Sequence, residues 1–168
     1  MNKAKKLKDT LNLPQTDFPM RANAVESEPQ RVEYWEESGV YHKVVDKNKN
    51  AESFILHDGP PFTNGDVHVG TALNKILKDA IIRFKGAKGF HTPYVPGWDC
   101  HGLPIEWKIE EQYKKKKKNK DEIPIKDFRQ ECREFAKNWI DVHIKEFKRL
   151  GVVGDFENYY STMSYEAE

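Results

Sequence analysis

The chain has 168 residues, with 28 basic and 27 acidic side chains giving a formal net charge of +1, and is 33% charged and 38% hydrophobic. This suffices for one globular domain with a sizeable core; the charge balance excludes a dedicated nucleic-acid clamp, though not a nucleic-acid contact made elsewhere in a longer protein. No apolar run approaches the roughly 18 residues needed to span a bilayer, the basic start Met1–Asp9 has no apolar segment behind it and is no secretory signal, and two cysteines, Cys100 and Cys132, give no disulfide framework and point to a reducing cytoplasm.

Residues 1–27 carry Pro14 and Pro19 with little periodicity and read as an extended arm wrapped on the core. From Glu28 to about Val45 the spacing predicts a helix with Val32, Trp35, Val40 and Val44 on one apolar face. A polar loop, Lys47–Glu52, leads into Ser53–Leu56, a short β-prone run that ends in a Gly-Pro-Pro breaker as a buried parallel strand would. Gly70–Lys88 predicts a second helix, with Leu73, Ile76, Leu77, Ala80, Ile81 and Phe84 at spacings of three and four and with Gly86 and Gly89 as stops. Phe90–Val95 is a second strand candidate, weakened by Pro93, and ends in a turn over residues 96–99. Strand, loop, helix and strand make the βαβ unit of a parallel α/β sheet. Lys114–Lys118 reads as a solvated run. Ile125–Leu150 predicts the longest helix, with Phe128, Cys132, Phe135, Trp139, Val142 and Phe147 as its core stripe. The end, from Ser164, reads as the opening of a further helix with Ser164 as N-cap and Glu166 and Glu168 in its first turn.

The chemistry concentrates in His57–Asn74, HDGPPFTNGDVHVGTALN, between the first strand and the helix. Gly59, Pro60 and Pro61 force a rigid turn at a strand's carboxyl end, where α/β sheets bind ligands, and Asn64-Gly65 adds a tight turn. Gly70 lets a flat base or a phosphate approach the backbone. The helix N-terminus offers free N–H groups to an anion, and His68 adds a donor that can follow developing charge. The bland alternative is that His68 only caps or packs; the whole string of turn residues favours the nucleotide reading.

These residues carry a resemblance. HDGPPFTNGDVHVGT resembles the segment holding the His-Ile-Gly-His motif of class I aminoacyl-tRNA synthetases. Its Gly-Pro-Pro form, together with YVPGWDCHGLPIE at Tyr94–Glu106, resembles the isoleucine-specific family within that class. Arg149–Met163 (RLGVVGDFENYYSTM) and Leu11–Arg21 (LNLPQTDFPMR) are similar to the same family. The resemblance implies an α/β fold. It would be the first half of a Rossmann-like parallel-sheet catalytic domain over residues 51–168, preceded by the arm and helix of residues 1–50.

The resemblance also implies the roles. His68 and Gly70 match the motif that holds the ATP phosphates and adenine, and Asn74, one turn on, reaches the nucleotide. Gly59 and Pro60 match positions beside the bound isoleucyl-adenylate, and Asp99 matches the carboxylate that pairs with the substrate's α-ammonium group; a carboxylate at a strand's carboxyl edge suits a cationic amine. One departure is Thr71, which stands where the motif has its last His. Its hydroxyl either contacts the nucleotide or caps the helix. The implied partners are isoleucine, ATP with Mg2+, and tRNA(Ile), in a cytoplasmic enzyme that is monomeric at full length. The motif's companion, a Lys-Met-Ser-Lys-Ser loop, is missing, so the chain is expected to be the N-terminal part of a longer protein and inactive alone. Asp99-Cys100-His101 would need Cys132 or His143 to converge on it to bind zinc, and no zinc site is expected in this segment. A freestanding nucleotide-binding module and a ligand-free interaction protein stay open as alternatives.

Overall fold

The computed structural model of the chain describes residues 7–12 and 15–167. Parts of the expected arm, at residues 1–6 and 13–14, lie outside these. Residues 15–26 are exposed, with Phe18 and Met20 in solvent, so this stretch does not wrap on the core. Helix α1 starts earlier than the periodicity placed it and runs over Ala24–Glu37; Ser38 and Gly39 then break it before α2, Val40–Lys47. Gly39 takes a left-handed conformation (φ 60°) that ends a helix. Val32, Trp35 and Val40 are half-buried as expected, whereas Val44 is exposed and Val45 turns inward instead.

The two strand candidates run parallel but pair only through Ser53 and His91, and the chain pairs again beyond both of them, at Phe62 and Asp99. The Phe54 N–H donates to the His91 carbonyl and the His91 N–H to that of Glu52. At the far end the Asp99 N–H donates to Pro61 and the Thr63 N–H to Asp99. Between these points Pro60, Pro61, Pro93 and Pro96 supply no donors, so the stretch is extended chain rather than a ladder. Regular pairing comes later than expected. Gly97–Trp98, read from the sequence as a turn, is strand β1, and it pairs in parallel with β2, Tyr160–Ser161, which the sequence reading missed.

Helix α3, Val69–Ala87, forms where the sequence placed it but turns a different face to the sheet. The expected core stripe of Leu73, Ile76, Leu77, Ala80, Ile81 and Phe84 is exposed, and Lys75, Ile82 and Gly86 are buried. A Cβ on Gly86 would come 3.1 Å from Thr92 Oγ1, so its absence lets the helix lie close on the 90–95 segment. Helix α4, Leu103–Lys115, was not foreseen. It has Pro104 in its first turn, a position that spends no helical donor. The lysines 114–118 at its end are exposed. Helix α5, Ile125–Arg149, packs on α4 and turns Phe128, Ala136, Ile140, His143 and Phe147 inward. The main core joins Ile82, Tyr94, Trp98, Ile105, Ile140 and Phe147, with Trp98 stacked on Phe147 at 6.2 Å between ring centroids. Residues 162–167 form turns rather than the helix expected from Ser164, and Glu168 lies outside the described residues. Among the described residues no helix is long and apolar enough to cross a membrane.

Candidate nucleotide-binding site

Gly59 and Pro60 lie within the first extended segment, ahead of Phe62, which pairs with Asp99 at the end of the second, and His68 opens α3. Asp99 is fixed on both sides through its backbone, and Thr63 Oγ1 adds a hydrogen bond to its carbonyl at 3.1 Å. Its carboxylate is about a quarter exposed; Oδ1 accepts from the Thr162 hydroxyl at 3.3 Å and lies 3.9 Å from His101 Nδ1. A carboxylate anchored by a neutral hydroxyl keeps its charge available for a cation. Pro60 is half-buried next to Gly97. A Cβ on Gly97 would come 2.8 Å from Tyr160 Cδ1 and 3.4 Å from Pro60 Cβ, so only glycine lets the three segments close here. Gly59 is exposed.

His68 is the N-cap of α3. Its Nδ1 accepts from the Gly70 N–H at 3.0 Å and the Thr71 N–H at 3.3 Å, and its Nε2 lies 3.1 Å from the Thr71 hydroxyl. Two N–H donors on Nδ1 leave the ring hydrogen on Nε2, which then donates to Thr71 Oγ1. Thr71 therefore does not cap the helix; its hydroxyl holds the histidine that does. A Cβ on Gly70 would come 3.0 Å from His68 Cε1, so Gly70 makes room for the folded ring. Gly70 and Asn74 are exposed, four residues apart and so on one helix face.

Beneath these residues lies a charged cluster that sequence reading missed. Asp58, 4% exposed, forms ion pairs with Lys75, itself 1% exposed, and with Lys78 at 2.6 Å, and also accepts the Gly97 N–H at 2.8 Å. Burial alone would raise the Asp58 carboxyl, but Lys75, Lys78 and the Gly97 N–H outweigh it and hold the group below the ordinary carboxylate range. The available signal was the spacing of three between Lys75 and Lys78, which the more conspicuous apolar stripe of the same helix masks. His143 does not turn toward Cys100 and His101 but bonds Trp98 and Gly65. Among the described residues no group of three His, Cys, Asp or Glu is placed to hold a metal ion.

A small parallel sheet with a helix following its first extended segment is an arrangement that recurs in nucleotide-binding folds, and comparison with known proteins narrows it. The model of the family tRNA synthetases class I (I, L, M and V) matches residues 30–168, and the chain belongs to that family. Within it the chain is 63% identical, over 96% of its length, to the isoleucine–tRNA ligase of Pelagibacter ubique (strain HTCC1062). It is 59% identical, over 95%, to that of Agrobacterium fabrum (strain C58). It spans 18% and 16% of the length of those relatives. In fold it is similar to the LeuRS of Agrobacterium radiobacter K84, solved in a ternary complex with tRNA and LeuAMS. The TM-score is 0.63 at 20% identity, covering 88% of this chain and 16% of that one. The architecture is accordingly a partial Rossmann-like α/β domain: helices around a small parallel sheet.

Proposed function

We propose that the chain is the part of an isoleucine–tRNA ligase that carries the first portion of its active site. In this reading residues 1–50 are the arm and helical lead-in and residues 51–168 the first half of the catalytic domain. The observation that carries it is the 63% identity over 96% of the chain to an isoleucine–tRNA ligase. The exposed apolar face of α3 supports a catalytic domain completed by further chain, since relatives extend well beyond this segment.

The reaction has two steps. Isoleucine's carboxylate attacks the α-phosphate of ATP, breaking the bond to the β-phosphate bridge oxygen and releasing pyrophosphate. The acyl group then passes from the adenylate to a tRNA(Ile) hydroxyl, and AMP leaves. Positioning and charge stabilisation supply most of the catalysis. Asp99 receives the α-ammonium group, and Gly59 and Pro60 flank the aliphatic side chain. The α3 N-terminus, with His68, Gly70 and Thr71, faces the phosphates and adenine, and Asn74 contacts the nucleotide. ATP enters with its Mg2+; no zinc site belongs to this segment. The setting is the cytoplasm, and the full-length enzyme acts as a monomer. The test is ATP–pyrophosphate exchange by the full-length protein. Exchange that depends on isoleucine supports the reading, and exchange that proceeds equally with leucine and not isoleucine overturns it.

A further inference from the structure

The turn that leads into His68 is held by one face of α5. The Gly65 carbonyl lies 2.6 Å from His143 Nε2, and the Val67 N–H donates to Glu146 Oε2 at 3.0 Å. His143 is 2% exposed and Glu146 half-buried, and their spacing of three puts them on the same side of the helix. On its other edge His143 Nδ1 accepts the indole N–H of Trp98 at 3.3 Å. The partners select the tautomer: an indole N–H can only donate, so Nδ1 is the acceptor, and a carbonyl can only accept, so Nε2 carries the hydrogen. Trp98 is fully buried against Phe147 and immediately precedes Asp99. The ring therefore bridges the segment carrying Asp99 to the turn carrying His68, and Glu146 fastens that turn a second time two residues on.

We propose that His143 and Glu146 are positioning residues: they fix the 64–67 turn, and with it His68 and the α3 N-terminus, at a set distance from Asp99. The proposal rests on the reading of this site as one that joins an amino acid to ATP. Neither side chain touches substrate in it. A core histidine that merely fills space has no need of two directed hydrogen bonds to separate segments, and a carboxylate accepting a loop N–H makes one of the stronger kinds of hydrogen bond. Their effect is on placement, and a displacement of about 1 Å in a reacting group costs on the order of a hundredfold in rate.

The experiment uses the full-length protein with four variants: Glu146→Met, Glu146→Gln, His143→Phe and His143→Gln. Glutamine at either position retains the acceptor that the loop or the indole needs, and from position 143 its amide can still donate to Gly65. Four quantities are read: hydrogen exchange of the 62–72 segment, the KM for ATP and the kcat of isoleucine-dependent pyrophosphate exchange, and the melting temperature. Glu146→Met and His143→Phe are expected to speed exchange in the 62–72 segment and lower kcat/KM for ATP by about tenfold or more, with both glutamine variants within about threefold of the parent. If the His143→Phe protein does not fold, the Glu146 pair decides by itself. Parental loop protection and catalysis in Glu146→Met, or equal losses in the methionine and glutamine variants, would overturn the proposal. Loop protection that responds as expected in a protein with no isoleucine-dependent exchange would overturn the functional reading and leave the clamp standing.

Discussion

His68 occupies the two N–H groups, of Gly70 and Thr71, that a phosphate at this helix N-terminus would use. In the proposed site ring and anion compete for the same donors, and a nucleotide that binds there displaces the imidazole from its capping position. Loss of the cap costs about 1 kcal/mol of stability, whereas loss of a preorganised donor at developing charge costs on the order of a hundredfold in rate. His68→Ala is therefore expected to reduce isoleucine-dependent pyrophosphate exchange about a hundredfold in the full-length protein while shifting its melting temperature only slightly; exchange within threefold of the parent removes His68 from the site. Thr71 is read through the same ring. Thr71→Ser keeps the hydroxyl that holds His68 Nε2 and should retain most activity. Thr71→Val should lose about tenfold, with a loss of thermal stability no larger than that of His68→Ala, because the threonine acts on the helix cap only through the histidine. Asp99→Asn keeps the shape and the Thr162 contact but not the charge, so the KM for isoleucine should rise with that for ATP little changed. A rise for ATP alone would take Asp99 out of the amino-acid site.

Asp58, Lys75 and Lys78 act at the level of elements, since together they tie the first strand segment to α3 and to Gly97 of β1. Removing one member of a buried ion pair strands the other, at a cost of about 3–5 kcal/mol. Asp58→Asn should destabilise by that order at neutral pH, measured by urea unfolding, and adding Lys75→Met should recover part of it by removing the stranded charge. The sign with pH follows from the depressed Asp58 group. Its contribution is complete above the ordinary carboxyl value of 3.8 and is lost as pH falls through the lower folded-state value. The gap between parent and Asp58→Asn should accordingly close on acidification below about pH 4; a gap that stays constant to lower pH would show that the carboxylate charge is not what holds these elements.

At the scale of the molecule the unusual feature is α3, whose outer face leaves Leu73, Ile76, Leu77, Ile81 and Phe84 in solvent. Patches of this kind mark a surface meant to be covered. In the proposed enzyme the cover is the remainder of the same polypeptide, which accounts for over four-fifths of the relatives' length. Leu77→Glu separates the cases. In the isolated 168-residue chain it should cost within about 0.5 kcal/mol, as surface changes do, and raise solubility. In the full-length protein it should cost more than about 2 kcal/mol, because a charge would then be buried without a partner. Equal small effects in both would mean that nothing covers α3.

Order and extent along the chain were legible before folding: extended segment, helix and extended segment in parallel, and the spans of α3 and α5. These depend on local spacing, turn residues and contiguous motifs. The sequence did not determine which face of α3 is buried. Periodicity finds an apolar stripe without saying what will lie against it, and here the sheet took the Lys75 side because Asp58, 17 residues earlier in the chain, waits there with a charge to match. It misplaced the strands, because the donor-less prolines break the ladder where the β-prone residues stand and pairing resumes at Gly97 only once Tyr160 arrives from after α5. Nor could it assign His143 and Glu146, whose partners at Gly65 and Val67 are nearly 80 residues away. Such contacts exist only after the helix has packed, so tertiary structure alone decided what holds the candidate site in place.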